Sequence, residues 1–475
     1  MQAPSRQTIV PLIVACSLFM QNLDSTVIAT ALPPIAASLH EDPLRLNLAI
    51  TSYLLSLAIF IPLSGWTADR FGTRTLFRAA ILMFTLGSIL CGLAQNLPEL
   101  VVARIAQGLG GAMMVPVGRL VLLRTVPKSD LIRAMSRLAL PALIGPVMGP
   151  PLGGLIVTYA SWRWIFFINV PFGLLGVVLV SRFIDEFREP AVSPLDLRGF
   201  VLLGAGLAAV MFGLETAGRG MLAPQTAAML LAGGAVLVAL YAFHARAVAS
   251  PIIDLALMRI PTFSAAILGS GIYRVGIEGL PFLIPLLLQL GFGLSPLQSG
   301  ILTFATYAGA MTMKASATPI IRTLGFRHVL VGNVVISALF MASYSLFRPT
   351  TPHLAIFAAL LAGGFFRSLQ VTSTNSLVFA DVPPALMSRA TSFASMAQQF
   401  WMTLAVGVSA LLLNLVHVMR GGGALAAADF APVFLINAVL SVMAIAVFVR
   451  LAPEAGAELS GHRAARLSSP GRPAE

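Results

Sequence analysis

The chain has 475 residues, 57% of them hydrophobic and 10% charged, with a net charge of +12 and a mean hydropathy of +0.90. Soluble domains carry about a quarter charged residues, so the composition excludes a water-soluble globule and reads as a polytopic membrane protein. The surplus Lys and Arg are spread over short segments between apolar runs, which suits an anionic lipid face and argues against a nucleic-acid surface.

Apolar runs of roughly 20 residues recur, and the ten-residue alternation of a membrane barrel does not. The predicted class is therefore all-α integral membrane. About fourteen helices are predicted, near 8–32, 46–68, 75–95, 99–122, 135–158, 164–184, 199–217, 225–243, 262–290, 296–321, 328–347, 353–377, 387–415 and 431–451. Cys16 and Cys91 each lie inside an apolar run, so no disulfide framework is expected. Ile13-Val14-Ala15-Cys16 has a faint look of a lipoprotein cleavage site. The apolar run continues far beyond it, which favours a retained first helix.

Basic residues set the orientation. Of the 30 Lys and Arg, about 20 fall in segments on the side of the N-terminus and about 5 (Arg45, Arg163, Arg219, Arg348 and Arg420) on the other. Both termini are thus expected in the cytoplasm, in a bacterial cytoplasmic (inner) membrane.

In chain order, the first chemistry is Asp24, a carboxylate in the apolar run from Ile9 to Leu32. A charge at that depth costs a few kcal/mol on insertion scales and is a functional candidate by default. It lies about eight residues from the outer end of helix 1, and Arg104 about six residues into helix 4 from the same side, so their depths agree at roughly 1.5 Å per residue. Such a pair keeps the acid ionised; separating it or drying the site lets the acid take a proton. A permanent structural ion pair is the alternative. Between helices 2 and 3, Gly65, Asp69, Arg70, Gly72 and Arg74 form a charged loop that either clasps a neighbouring helix end or is a solvated turn. Helix 5 carries Gly145, Gly149, Pro150, Gly153 and Gly154, a spacing that permits close helix approach beside a kink.

The loop sequence returns in weakened form. Asp69-Arg70-Phe71-Gly72-Thr73-Arg74 follows helix 2, and Arg322-Thr323-Leu324-Gly325-Phe326-Arg327 follows helix 10. Two related six-helix halves are expected, residues 1–197 and 251–452, with two inserted linker helices over 198–250 and a disordered cytoplasmic tail over 453–475. Helix 9, the first of the second half, carries Arg274 and Glu278 on one face. Glu278 is then either a second protonatable acid or one half of a self-satisfied clasp. Arg367, after Gly363-Gly364, is placed mid-helix on a substrate path. Arg119 and Lys314 are expected to snorkel to the inner surface.

On these motifs the chain resembles the major facilitator superfamily, and within it the fourteen-helix drug:proton antiporter group of the QacA and EmrB kind; it looks most like the bacterial MdtD-type proteins. The likeness covers nearly the whole chain to Leu451. It rests on Leu23, Asp24, Thr26, Ala31, Leu32 and Pro33 in helix 1, with Ala29 where the group has Asn. It continues through Gly65, Asp69, Arg70 and Gly72, where Thr73 replaces a usual Arg, and through Arg104, Gln107, Gly108 and Gly110 in helix 4. The antiporter motif Gly145, Gly149, Pro150, Gly153 and Gly154 and the stretch from Trp162 to Pro171 complete it. The resemblance implies the major facilitator fold, proton antiport, a role for Arg104 in proton coupling and Gln107 near the substrate path.

The expected function is a proton-coupled efflux transporter working by alternating access, with a small-molecule substrate, protons and the lipid bilayer as partners. It would act as a monomer, with no nucleic acid, no metal and no cofactor beyond the proton gradient. Asp24, Arg104, Glu278 and Arg274 would couple protons. Five buried cations facing two buried acids also suit a negatively charged substrate, such as an organic acid or metal chelate. An enzyme is disfavoured, because the histidines form no cluster and no nucleophile stands beside a base. A non-transporting sensor lacks a loop long enough for an output domain. No Gly-rich phosphate loop ending in Gly-Lys-Ser/Thr occurs, which argues against ATP as the energy source.

Overall fold

The computed structural model describes residues 6–125, 131–188, 194–216, 223–248, 250–383 and 386–456. Among them no β-strand occurs. The first half comprises α1 (Arg6–Leu39), α2 (Asn47–Phe60), α3 (Leu63–Phe71), α4 (Thr73–Leu93), α5 (Leu97–Thr125), α6 (Leu131–Tyr159), α7 (Trp164–Phe167) and α8 (Asn169–Phe183). Then come α9 (Leu197–Thr216) and α10 (Pro224–Ala247). The rest is α11 (Pro261–Ile277), α12 (Leu280–Leu286), α13 (Pro296–Ser343), α14 (His353–Leu377), α15 (Met387–Met419), α16 (Ala427–Val442) and α17 (Ile445–Phe448). Helices dominate because a buried backbone in lipid must satisfy its own N–H and C=O groups.

Among the described residues, eleven helices are long and apolar enough to cross a membrane, or twelve if α2 and α3 form one bent span. The fourteen spans expected from sequence thus exceed what length and apolarity alone identify. The two outside that set are α6, whose described side chains cover only its second half, and the part of α13 before Gly325, diluted by Ser, Thr, Lys and Arg. Several predicted helices are also broken. The α2–α3 bend of 59° follows Pro62, which supplies no N–H to the helix ladder. The predicted helix over 262–290 divides at Glu278 and Gly279, just before Pro281.

The weak internal repeat has a backbone counterpart. Gly72 (φ 93°, ψ 145°) separates α3 from α4, and Gly325 (φ 73°, ψ 159°) breaks α13 at the matching place. Both lie in a region of backbone space open essentially only to glycine.

Within the first half, α1 packs on α6, and α5 on α2 and α4; α9 pairs with α10. In the second half α13 packs on α14, and α11 on α15 and α16. The halves meet where α6 touches α13, α2 touches α15 and α1 touches α12. We call the face where α1 begins basal and the opposite face distal. At the distal interface Gly154 lies against the backbone of Pro296 and Leu297, and Gly300 against that of Pro150, too close for any side chain. The linker helices are tied down at the basal face. His244 Nε2 lies 2.7 Å from Asp196 Oδ1, and Tyr241 Oη donates to the Ile253 carbonyl at 2.7 Å. After Leu451 the chain continues to Gly456, which is buried against Phe326 and Leu377; the remainder of the expected tail, 457–475, lies outside the described residues.

Candidate functional site

Asp24 sits in the middle of α1, 3% exposed. Arg104 of α5, fully buried, places Nη1 2.6 Å from Asp24 Oδ2. The depth matching of the sequence is thus a direct contact. The guanidinium is held from three sides: Nε donates to the Ala49 carbonyl at 2.9 Å, Nη1 donates to Gln107 Oε1 at 2.6 Å, and its carbon stands 4.2 Å from the Tyr53 ring centre. Gln107 and Arg104 are three apart on one helix, so they share a face.

The other carboxylate oxygen is held by neutral donors. Gln107 Nε2 donates to Asp24 Oδ1 at 2.9 Å, and Asn169 Nδ2 at 3.0 Å. Ser88 Oγ accepts from both amides, at 2.7 and 3.2 Å. Gln107, placed on the substrate path by resemblance, has its amide committed to Asp24 and Ser88 here. Asn169 lies in the Trp162–Pro171 stretch that carried the resemblance but was given no role, and Ser88 escaped the sequence reading. The role of Asn169 and the place of Ser88 had no spacing pattern to mark them: one is a lone amide opening α8, the other a lone hydroxyl in an apolar run.

The glycines of α6 determine where α1 lies. Gly145 faces the Phe19 carbonyl and Leu23, Gly149 faces Thr26, and Gly153 faces Thr30 and the Val27 carbonyl. A side chain at any of these would meet α1 at or below van der Waals distance. The motif therefore brackets the turn that carries Asp24, and its last glycine, Gly154, reaches the other half.

The second acid is arranged differently. Glu278, 4% exposed, occupies the break between α11 and α12 instead of a regular turn. Arg274 Nη1 lies 3.4 Å from its Oε1, and Arg367 Nη2 of α14 lies 3.1 Å from its Oε2. The predicted Arg274–Glu278 clasp is thus present, but the shorter contact comes from Arg367. The Arg367 side chain is 19% exposed, against 4% for Arg274. One acid between two guanidiniums leaves the cluster with a net positive charge. Lys314 is exposed on α13, with Nζ donating to Thr372 Oγ1 at 3.2 Å. The Arg119 side chain lies outside the described residues.

The segment expected as a charged loop is largely helical, with Gly65, Asp69 and Arg70 on α3, Gly72 at the break and Arg74 in the first turn of α4, and it is folded against its own half. Arg74 donates to the Ser181 carbonyl and, through its N–H, to Glu186 Oε1 at 3.2 Å; Thr75 donates to Glu186 Oε2 at 2.5 Å. Asp69 is half-buried, while Arg70 and Gly65 are exposed. Glu186, which the sequence reading did not single out, anchors the loop to the end of α8.

Among the described residues no group of three or more His, Cys, Asp or Glu could hold a metal ion.

The sequence profile described as the Major Facilitator Superfamily matches residues 14–406 and 266–471. A Salmonella typhimurium protein named MdtD, for multidrug resistance, is 42% identical over 411 residues, covering 85% of this chain and 86% of its own; a Salmonella typhi counterpart matches equally. Solved structures with the same fold include a D-xylose-proton symporter (TM-score 0.67, 16% identity, covering 95% of this chain and 99% of that one) and the nucleoside transporter NupG (TM-score 0.62, 13% identity, covering 95% and 98%).

Proposed function

The chain belongs to the Major Facilitator Superfamily, and from that premise we propose that it is a proton-coupled efflux transporter exporting small molecules by alternating access. The observation that carries this reading is Asp24. It is one carboxylate, buried midway along α1, paired with Arg104 and held by two amides on a glycine-packed helix. An acid so enclosed exchanges a proton with either side only when the groups around it move apart. Movement of α6 along α1 loosens that packing, because Gly145, Gly149 and Gly153 stand at α1 backbone or side chain. Proton uptake, helix movement and a change of access are then one event, with a ligand shifting the equilibrium by its preference for one state.

The proposal includes fourteen crossings. The bent pair, α6 and the part of α13 before Gly325 complete the eleven. It places both termini in the cytoplasm, from the Lys and Arg bias, in the inner membrane. The basal face is then cytoplasmic, and the close glycine contacts at Gly154 and Gly300 lie on the outer side, as in a conformation closed to the outside. The working unit is a monomer powered by the proton gradient with no bound cofactor, and Glu186, Arg74 and Thr75 steady the inner gate.

A second reading concerns substrate charge. Two arginines around Glu278, one of them partly exposed, and the exposed Lys314 favour an anion over a lipophilic cation.

The test uses everted vesicles holding an imposed pH gradient, with ethidium and benzoate added separately to wild type and Asp24→Asn. The reading expects one probe to dissipate the gradient in wild type and not in Asp24→Asn. Equal dissipation in both would reject Asp24 as the coupling acid.

A further inference from the structure

The hydrogen bond between the two acid-bearing helices has an origin in backbone chemistry. In a helix the carbonyl of residue i accepts from the N–H of residue i+4, or of i+3 in a tighter turn. For Thr30 those positions are Pro34 and Pro33, both inside the continuous α1. Proline has no N–H, so the Thr30 carbonyl is denied both of its helical donors. Thr30 is 1% exposed, so water is not at hand either.

The missing donor comes from the other half. Gln289 Nε2 lies 2.9 Å from the Thr30 carbonyl oxygen and 3.4 Å from Ser299 Oγ. Gln289 sits within Leu287–Gly291, a stretch of π-helix closed by the Phe292 N–H to the Leu287 carbonyl at 3.0 Å. Such a stretch inserts one residue into a turn and re-aims the side chains around it, and it is found mostly where function needs that. Thr30 lies roughly 9 Å along the axis from Asp24, at 1.5 Å per residue. Gln289 belongs to the broken helix that carries Glu278.

We propose that Gln289 and Thr30 form a latch that holds the distal face shut, its acceptor created by the Pro33–Pro34 pair. The latch joins the helix of Asp24 directly to the helix of Glu278, so the distal face cannot open without breaking it. Once open, water entering the cleft hydrates both groups. A single net hydrogen bond shifts an equilibrium by roughly two- to tenfold, enough to bias the closed state without locking it. The proposal rests on the alternating-access reading for its consequence. Its test reads conformation and not transport, so the two can fail separately.

The experiment is a pulsed electron–electron distance measurement on the purified full-length chain in lipid nanodiscs. Spin labels go on Gln95→Cys and Thr350→Cys, exposed distal loop positions of the two halves, in a Cys16→Ser background; Cys91 is fully buried and stays. Gln289→Met keeps the side-chain volume and removes the donor. Pro34→Ala gives Thr30 a helical donor of its own. The latch predicts that Gln289→Met raises the ratio of long to short distances about two- to tenfold. It predicts a smaller rise for Pro34→Ala alone, and a reduced effect of Gln289→Met in the Pro34→Ala background. An unchanged distribution in Gln289→Met overturns the proposal. So does an equal shift in both backgrounds, which would assign the effect to Ser299 or to packing. Should Gln289→Met not fold, Pro34→Ala tests the same bond from the other side, and an unchanged distribution there overturns it.

Discussion

The two acid sites of this chain solve one problem in opposite ways. Asp24 lies on a continuous turn of α1, matched by one arginine and finished by neutral amides, so the cluster is close to neutral and closed. Glu278 lies at a helix break between two arginines, so its cluster keeps a positive charge and one partly exposed guanidinium. A buried charge persists only when paired and fully hydrogen-bonded, and Asp24 meets that condition within its own half. The cluster at Glu278 has charge left over for something that arrives. The difference suggests a division of labour, with proton handling in the first half and ligand contact in the second.

The harshest way to break the comparison is Arg104→Leu, which strands a buried carboxylate. Removing one partner of a buried pair costs about 3–5 kcal/mol, and the expected result is a large drop in melting temperature in detergent. Arg104→Lys should fall between that variant and wild type, because a single ammonium cannot reach Asp24, Gln107 and the Ala49 carbonyl together. Arg367→Leu should leave the melting temperature nearer to wild type, since its side chain is partly exposed and Arg274 remains beside Glu278. A collapse in Arg367→Leu equal to that in Arg104→Leu would erase the distinction between the sites.

Asn169→Leu sharpens the account of the first site. It removes one donor from Asp24 and one from Ser88, at about 1–3 kcal/mol for a buried group left unsatisfied. Chemical denaturation should register the loss, while Asn169→Asp should be worse because it sets a second acid against Asp24. Arg367→Gln addresses the second site: affinity for an anionic probe should fall about tenfold, the worth of one charge-assisted hydrogen bond. Isothermal titration would check this, and unchanged affinity would remove the anion reading.

These sites were unequally legible in the sequence. Asp24 and Arg104 could be matched because counting residues from a helix end measures depth. Gly72 and Gly325 could be paired because a backbone conformation reserved for glycine leaves a fixed residue at a fixed place. Ser88, Glu186 and the role of Asn169 could not be found, because each depends on a neighbour distant in sequence. The break at Glu278 was written in Gly279 and Pro281, yet the long apolar run around them outweighed it. Pro33 and Pro34 were visible from the outset, but only Gln289 reveals what they leave unsatisfied.

The smallest expected effect lies at the linker helices. Burial alone would raise the Asp196 carboxyl, but hydrogen bonds from His244 and from the N–H groups of Gly199 and Ile252 outweigh it and hold the carboxyl below its ordinary range. A lowered acid contributes stability above its unfolded value of about 4 and loses it as pH falls through the lowered folded value. Asp196→Asn should therefore lower the melting temperature slightly at neutral pH and flatten its decline below about pH 4.

The central claim is that Asp24 exchanges a proton as ligand binds. Ligand-induced proton exchange by the purified protein tests it most directly, read with a pH-indicator dye in weakly buffered detergent solution after adding whichever of ethidium or benzoate proves active. The account predicts a change in bound protons in wild type and in Glu278→Gln, and none in Asp24→Asn. A change in Asp24→Asn equal to wild type, with loss in Glu278→Gln, would contradict it and transfer the proton to the second half.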